Sequence, residues 1–381
     1  MFFIYLSSGL FLGWSLGAND AANVFGTAVG SKMLRLRTVA IICGIFVILG
    51  AVISGAGPTQ TLKELGAVDA MAGSFMVALS AAFTVWRMTK LKIPVSTSQA
   101  IVGAIIGWNL YTNSPTDLNS LTKIVLTWIV CPVLAALLSM VIYLVVRLIV
   151  NKLKIHLLRL DTYNRVGLII VGAFGSYSLG ANNIANVMGV FIPVSPFKDT
   201  SLLGINISGA QQLFFIGGVA IAVGAYTYSH KVIDTVGKSL MKISPVSALV
   251  VVLSQALVLF IFASERLRDL LVSYGLPPLP LVPVSSSQAI VGAIIGLGIL
   301  KGGRGLRYRV LGEISLGWLI TPVMAGIIAF VSLFFLQNVF KMEINSTKVS
   351  DVRYNNVNPG KLHRQTNIGQ QTLVKPAIFT Y

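Results

Sequence analysis

Four apolar stretches constrain this chain more than anything else in it: VAIICGIFVILGAVISGA (39–56), AVDAMAGSFMVALSAAFTVW (67–86), LTWIVCPVLAALLSMVIYLVV (126–146) and VSALVVVLSQALVLFIFA (246–263). Each approaches the ~20 residues that carry a helix across roughly 30 Å of hydrocarbon. In hydrocarbon every backbone polar group must be satisfied internally, which leaves only helices or closed barrels. No stretch alternates with the period of two that a lipid-facing barrel needs, so the sequence predicts an all-α integral membrane protein. The charged fraction agrees: 11% here against about 25% in soluble domains. Ten apolar segments can be delimited, at 2–30, 38–56, 67–86, 93–110, 121–150, 166–192, 211–229, 245–263, 283–300 and 311–337. The first and sixth are long and polar in the middle, which predicts more helices than ten and breaks within those two. The N-terminus, MFFIYLSSGL, lacks the basic region of a cleavable signal.

The net charge of +17 could indicate nucleic acid, but its placement reads as topology. Basic residues crowd into alternate loops: Lys32, Arg35 and Arg37; Arg87, Lys90 and Lys92; Lys152, Lys154, Arg159 and Arg165; Lys231, Lys238 and Lys242; Lys301, Arg304, Arg307 and Arg309. That is the positive-inside pattern of a cytoplasmic-membrane protein, and it puts both termini outside. Cys43 and Cys131 lie in apolar spans, and His156, His230 and His363 in loops or the tail, so neither a disulfide framework nor a Cys/His metal site is expected. No His lies in a span, and KGGRG (301–305) lacks the spacing of a nucleotide loop. An enzyme is therefore not expected.

The chain is written twice. PVSTSQAIVGAIIG (94–107) returns as PVSSSQAIVGAIIG (283–296), and SLGANDAANVFG (15–26) as SLGANNIANVMG (178–189). TWIVCPVLAALLSMV (127–141) is echoed more weakly by GWLITPVMAGIIAFV (317–331). This predicts a first repeat over 1–150, a basic cytoplasmic linker at 151–165, a second repeat over 166–337 and a polar extramembrane tail at 338–381. An odd number of segments separates equivalent points, so the second half enters from the opposite side: an inverted-topology repeat, whose sites lie near the midplane.

The repeated polar elements are the candidate site. A proline followed by Ser96, Thr97, Ser98 and Gln99, or by Ser285, Ser286, Ser287 and Gln288, is a helix-start signal. Helix starts direct partial positive charge and free N–H groups at an anion. Two such starts without a Lys or Arg between them suit a small tetrahedral oxyanion that must be bound and then released. Gly103, Gly107, Gly292 and Gly296 read instead as small-residue packing faces. Asp20 is the one carboxylate deep in a span, and an intramembrane acid is functional by default. With Asn19, Asn23, Asn182, Asn183 and Asn186 it can cage a hard monovalent cation such as Na⁺; alternatively Asp20 shuttles a proton.

GANDAANVFGTAVGS with PVSTSQAIVGAIIG, both duplicated, resembles the PiT family of inorganic phosphate transporters over nearly all of 1–337. The resemblance implies an inverted repeat with broken helices and re-entrant hairpins, about 10–12 spans, both termini outside, and a homodimer. It implies symport of inorganic phosphate with Na⁺, or with H⁺ in some members, with no resident cofactor. Asp20 and Asn23 match the first Asn-Asp motif, Asn182 and Asn186 the second, and the two hydroxyl clusters the phosphate-binding hairpins; Na⁺ is expected at Asp20, Asn23 and Asn186. One departure stands out: Asn183 occupies the place of the family's second Asp. It leaves proton coupling and sulfate as alternatives, because some relatives carry sulfate. A passive anion channel is the rival from another class, and cation-dependent uptake separates it from a transporter.

Overall fold

The computed structural model describes residues 1–345 apart from 31–32, 67, 92–94, 154–155, 203, 237–243 and 304. Several expectations therefore fall outside the described residues: Lys32, Lys92, Lys154, Lys238, Lys242 and Arg304 of the charge pattern, His363, and nearly all of the tail. Met1–Ile344 form one compact unit. Among the described residues the chain makes twelve α-helices and one short hairpin. The helices are α1 (Phe2–Gly30), α2 (Leu36–Ser54), α3 (Ala56–Leu65), α4 (Met71–Lys90), α5 (Thr97–Thr112) and α6 (Leu118–Leu153); then α7 (Leu157–Met188), α8 (Gly209–Val236), α9 (Pro245–Ala263), α10 (Glu265–Ser273), α11 (Ser286–Leu300) and α12 (Tyr308–Asn338). The hairpin pairs Thr200–Leu202 with Ile205–Ile207 between α7 and α8. Seven of the described helices are long and apolar enough to cross a membrane. The outer faces of α6 and α12 are apolar and exposed, as at Leu126, Ile129, Val133, Leu319, Val323 and Ile327, which is what lipid requires.

Packing recurs in pairs. α1 lies against α8 and α7 against α2; α5 lies against α12 and α11 against α6. Glycines set how close these pairs come. A Cβ on Gly17 would strike the carbonyl of Ile221, and one on Gly180 the carbonyl of Val47. A Cβ on Gly103 would strike the carbonyl of Pro322, and one on Gly292 the carbonyl of Pro132. The four glycines read as packing faces do pack: Gly107 meets Gly326 and Gly296 meets Ala136 in the same way.

Two expectations change. The polar middles of the first and sixth segments do not unwind: α1 is continuous for 29 residues and α7 for 32. The acid and amides satisfy themselves through side-chain bonds described below, so the helix backbone need not open. The breaks fall elsewhere, ahead of α5 and α11. These helices have 16 and 15 residues, or ~24 and ~22 Å at 1.5 Å per residue. They are too short to span, and each follows extended chain. Within 151–165, α6 runs to Leu153 and α7 starts at Leu157. The charges of this stretch continue a helix, with Asp161 and Arg165 pairing across one turn at 3.7 Å.

Candidate functional site

Each half-length helix starts on its first serine. Ser96 has extended backbone (φ −105°, ψ 113°) and its side chain accepts the N–H of Gln99 at 3.2 Å. Ser285 does the same for Gln288, also at 3.2 Å. These are N-caps, which satisfy one of the orphan donors of a helix start and leave the others aimed forward. Both starts lie inside the bundle: Ser96, Thr97, Ser98, Gln99, Ser285, Ser286, Ser287 and Gln288 are all 1–2% exposed.

The acid–amide motifs hold these starts in place, from both the same and the opposite half of the chain. Asn23 donates to Ser286 Oγ at 3.3 Å, and Asn186 donates to Ser98 Oγ at 2.8 Å. Asn19 donates to the carbonyl of Val95 at 3.2 Å. Asn182 donates to the carbonyl of Val282 at 3.3 Å and accepts from the N–H of Val284 at 3.0 Å. Within the motifs, Asp20 Oδ1 accepts from Asn19 at 2.8 Å and from Asn23 at 3.4 Å. Its counterpart Asn183 accepts from Asn186 at 3.0 Å and donates back to the carbonyl of Leu179. Ser98 also bonds the carbonyl of Val284 at 3.1 Å, and Ser285 and Ser287 share a bond of 3.0 Å. The fourteen residues singled out in the sequence therefore form one buried cluster of four helices. The carbonyls of Val95, Val282 and Val284 also take part; their apolar side chains gave no signal.

Two features decide what this cluster can do. Asp20 is the only carboxyl or basic side chain in the buried class among the described residues, and the two amides that bond it, Asn19 and Asn23, also bond the carbonyl of Val95 and the hydroxyl of Ser286 at the two helix starts. Four buried oxygens also lack a protein partner: Thr97 Oγ1, Gln99 Oε1, Asn186 Oδ1 and Gln288 Oε1. Native proteins rarely leave buried polar atoms unpaired without a reason. Oxygen acceptors without donors, beside a single carboxylate, suit a hard cation or a protonated oxyanion. Among the described residues no cluster of three or more His, Cys, Asp or Glu could hold a transition metal.

Long lipid-facing helices around a buried polar centre, with half-length helices ending on it, define a polytopic membrane transporter fold. The chain matches the phosphate transporter family (PHO4) over residues 16–329 and 280–371, and it belongs to that family. A Methanocaldococcus jannaschii protein to which a phosphate permease role is ascribed is 29% identical over 83% of this chain and 91% of its own length. A sulfate permease of Bacillus subtilis, CysP, is 26% identical over 88% of each chain. Among solved structures, a sodium-dependent phosphate transporter superposes with a TM-score of 0.70 at 24% identity, covering 88% of this chain and 98% of that one.

Proposed function

We propose that this protein is a cation-coupled symporter of inorganic phosphate in the cytoplasmic membrane, driven by Na⁺ and working by alternating access. The observation that carries the reading is the crossed bonding of the two helix starts: Asn23 of α1 holds Ser286 of α11, and Asn186 of α7 holds Ser98 of α5. Phosphate sits between the starts of α5 and α11, taking N–H and hydroxyl donors from both. Na⁺ sits by Asp20, Asn23 and Asn186, where it offsets the anion's charge and draws on unpartnered oxygens. The halves 1–150 and 166–337 are inverted repeats that exchange exposure of the site; the paired packing of equivalent helices supports this. The charge pattern puts both termini outside, and the family resemblance supports a homodimer.

Phosphate is favoured over sulfate by acceptor count. Phosphate keeps a proton near neutral pH and needs an acceptor, which Asp20 and the unpaired oxygen of Asn186 offer. The second reading, proton-coupled or sulfate transport, draws on Asn183 and on the kinship with the sulfate permease. The test is radiolabelled phosphate uptake into proteoliposomes under an inward Na⁺ gradient, against choline and pH-gradient controls and with sulfate competing. Uptake driven by Na⁺ and indifferent to sulfate is expected. Uptake driven only by protons, or suppressed by sulfate, selects the second reading.

A further inference from the structure

The weakest of the three sequence echoes, around TWIVCP and GWLITP, plays no part in the site as described, yet it contains a duplicated anomaly. The indole N–H groups of Trp128 and Trp318 are both buried and both lack a partner. Indole nitrogen only donates. The unpaired oxygens of Gln288 and Gln99 can only accept, and they too occur once in each half.

The register of two helix interfaces brings each orphan indole to the level of an orphan glutamine oxygen. Along the α11–α6 interface, Gly292 meets Pro132 and Gly296 meets Ala136, and Lys301 Nζ lies 5.1 Å from the ring centre of Tyr143. Residue numbers rise together, so the helices run parallel. One turn back, residues four earlier share the same face: Gln288 on α11 and Trp128 on α6. The thiol of Cys131 reaches the carbonyl of Ser285 at 3.7 Å, so the start of α11 lies against this stretch of α6. Along the α5–α12 interface, Gly103 meets Pro322, Gly107 meets Gly326 and Tyr111 meets Phe330 at 5.3 Å between ring centres. The same step back pairs Gln99 with Trp318.

The glutamines are also conspicuously free. Ser-x-x-Gln at a helix start is a capping box, in which the Gln side chain reaches back to the cap's own N–H. Here the serine arm is made in both copies, while both glutamine oxygens remain unpaired. The side chains are held for something other than capping.

Building on the phosphate-site reading, we propose that Trp128 and Trp318 are positioning residues: each indole N–H takes the amide oxygen of the facing glutamine, Gln288 or Gln99, and so turns its NH₂ group toward the bound oxyanion. An amide offered to an anion must present nitrogen, and its oxygen then needs a donor behind it. The bonds are open in this structure and close when the amides turn to the substrate.

The test is a set of double-mutant cycles read as KM and maximal rate for phosphate uptake in proteoliposomes, with folding checked by size exclusion. The variants are Trp128→Phe, Trp318→Phe, Gln288→Met and Gln99→Met, with cognate doubles (128 with 288, 318 with 99) and crossed doubles (128 with 99, 318 with 288). Each single change should raise KM about three- to tenfold, the worth of one neutral hydrogen bond, with little change in maximal rate. Cognate doubles should be no worse than the glutamine change alone, whereas crossed doubles should multiply. Cognate doubles that multiply like the crossed ones, or tryptophan changes that leave KM untouched, overturn the proposal. An unchanged KM in both glutamine variants would instead sink the phosphate-site reading on which it rests.

Discussion

The acid–amide motifs of α1 and α7 occupy equivalent places and differ at the residue that matters most for charge. Asn19, Asp20 and Asn23 face Asn182, Asn183 and Asn186, and each last Asn donates to the middle residue and to a serine of the other half. Geometry is thus duplicated while charge is not. Asp20 can balance a cation; Asn183 supplies a neutral oxygen in the same pose and spends its NH₂ on the carbonyl of Leu179. The hydroxyl clusters differ less: each is capped alike by its first serine and each accepts an Asn of the other half, at Ser98 in one and at Ser286 in the other. An anion pulled equally from two sides can share its ligands, whereas a cation site needs only one fixed charge. Under the proposed function, one half carries the charge for the cation and both halves carry donors for the anion.

The largest effect follows from breaking this asymmetry. Asp20→Asn would make both motifs neutral, and Na⁺-driven uptake should fall to the background of empty vesicles while the purified protein keeps its elution volume. Normal Na⁺-dependent uptake by that variant would overturn the cation assignment. Next comes its converse, Asn183→Asp, which restores a carboxylate to the second motif. The Na⁺ dependence of uptake should then steepen, read as a higher Hill coefficient in Na⁺ titrations; an unchanged curve means that the second position never reaches a cation.

Smaller effects test the matched clusters. Ser98→Ala removes a hydroxyl bonded to both Asn186 and the carbonyl of Val284. Ser287→Ala removes one bonded only to Ser285. Both should raise the KM for phosphate, Ser98→Ala more, by a factor near that of one extra hydrogen bond of about 1 kcal/mol. Equal effects would mean that the network contributes nothing beyond the ligand contacts. Gly103→Ala and Gly292→Ala should lower stability alike, by roughly 1–3 kcal/mol for forced overpacking, because both Cβ atoms would meet a proline carbonyl. Thermal unfolding in detergent measures this, and a large difference between the two would break the equivalence of the interfaces.

The smallest expected effect lies at the starts of α6 and α12. Asp117 accepts the N–H groups of Asn119 and Ser120 at the start of α6, whereas Arg307 makes no such side-chain bond at the start of α12. The hydroxyl and backbone N–H of Ser120 hold the Asp117 carboxyl below its ordinary range. A lowered pKa favours the folded state above the ordinary carboxylate range near pH 4 and loses that contribution as pH falls through the lowered value. Asp117→Ala should therefore lower the unfolding temperature slightly at neutral pH and not at all in strong acid. An equal loss at both pH values would show that the carboxylate is not acting as a charged cap.

Much of this protein was legible in its sequence, for identifiable reasons. Membrane residence follows from the apolar runs, because hydrocarbon admits few alternatives. The residues of the buried polar cluster could be picked out because hydroxyls, amides and an acid are costly in a bilayer and, the acid apart, were written twice. Helix starts at Ser96 and Ser285 follow from local capping chemistry, which needs no tertiary partner. Other features were decided only in three dimensions. Whether GAND and GANN unwind depended on Asn19 and Asn182 finding the carbonyls of Val95 and Val282, residues far away in the chain that periodicity cannot reveal. Which helices meet, α11 on α6 and α5 on α12, depended on where glycines allow close approach. Local sequence determined which groups are polar and where helices begin; the packing of distant segments decided which of those groups are satisfied and which remain free to act.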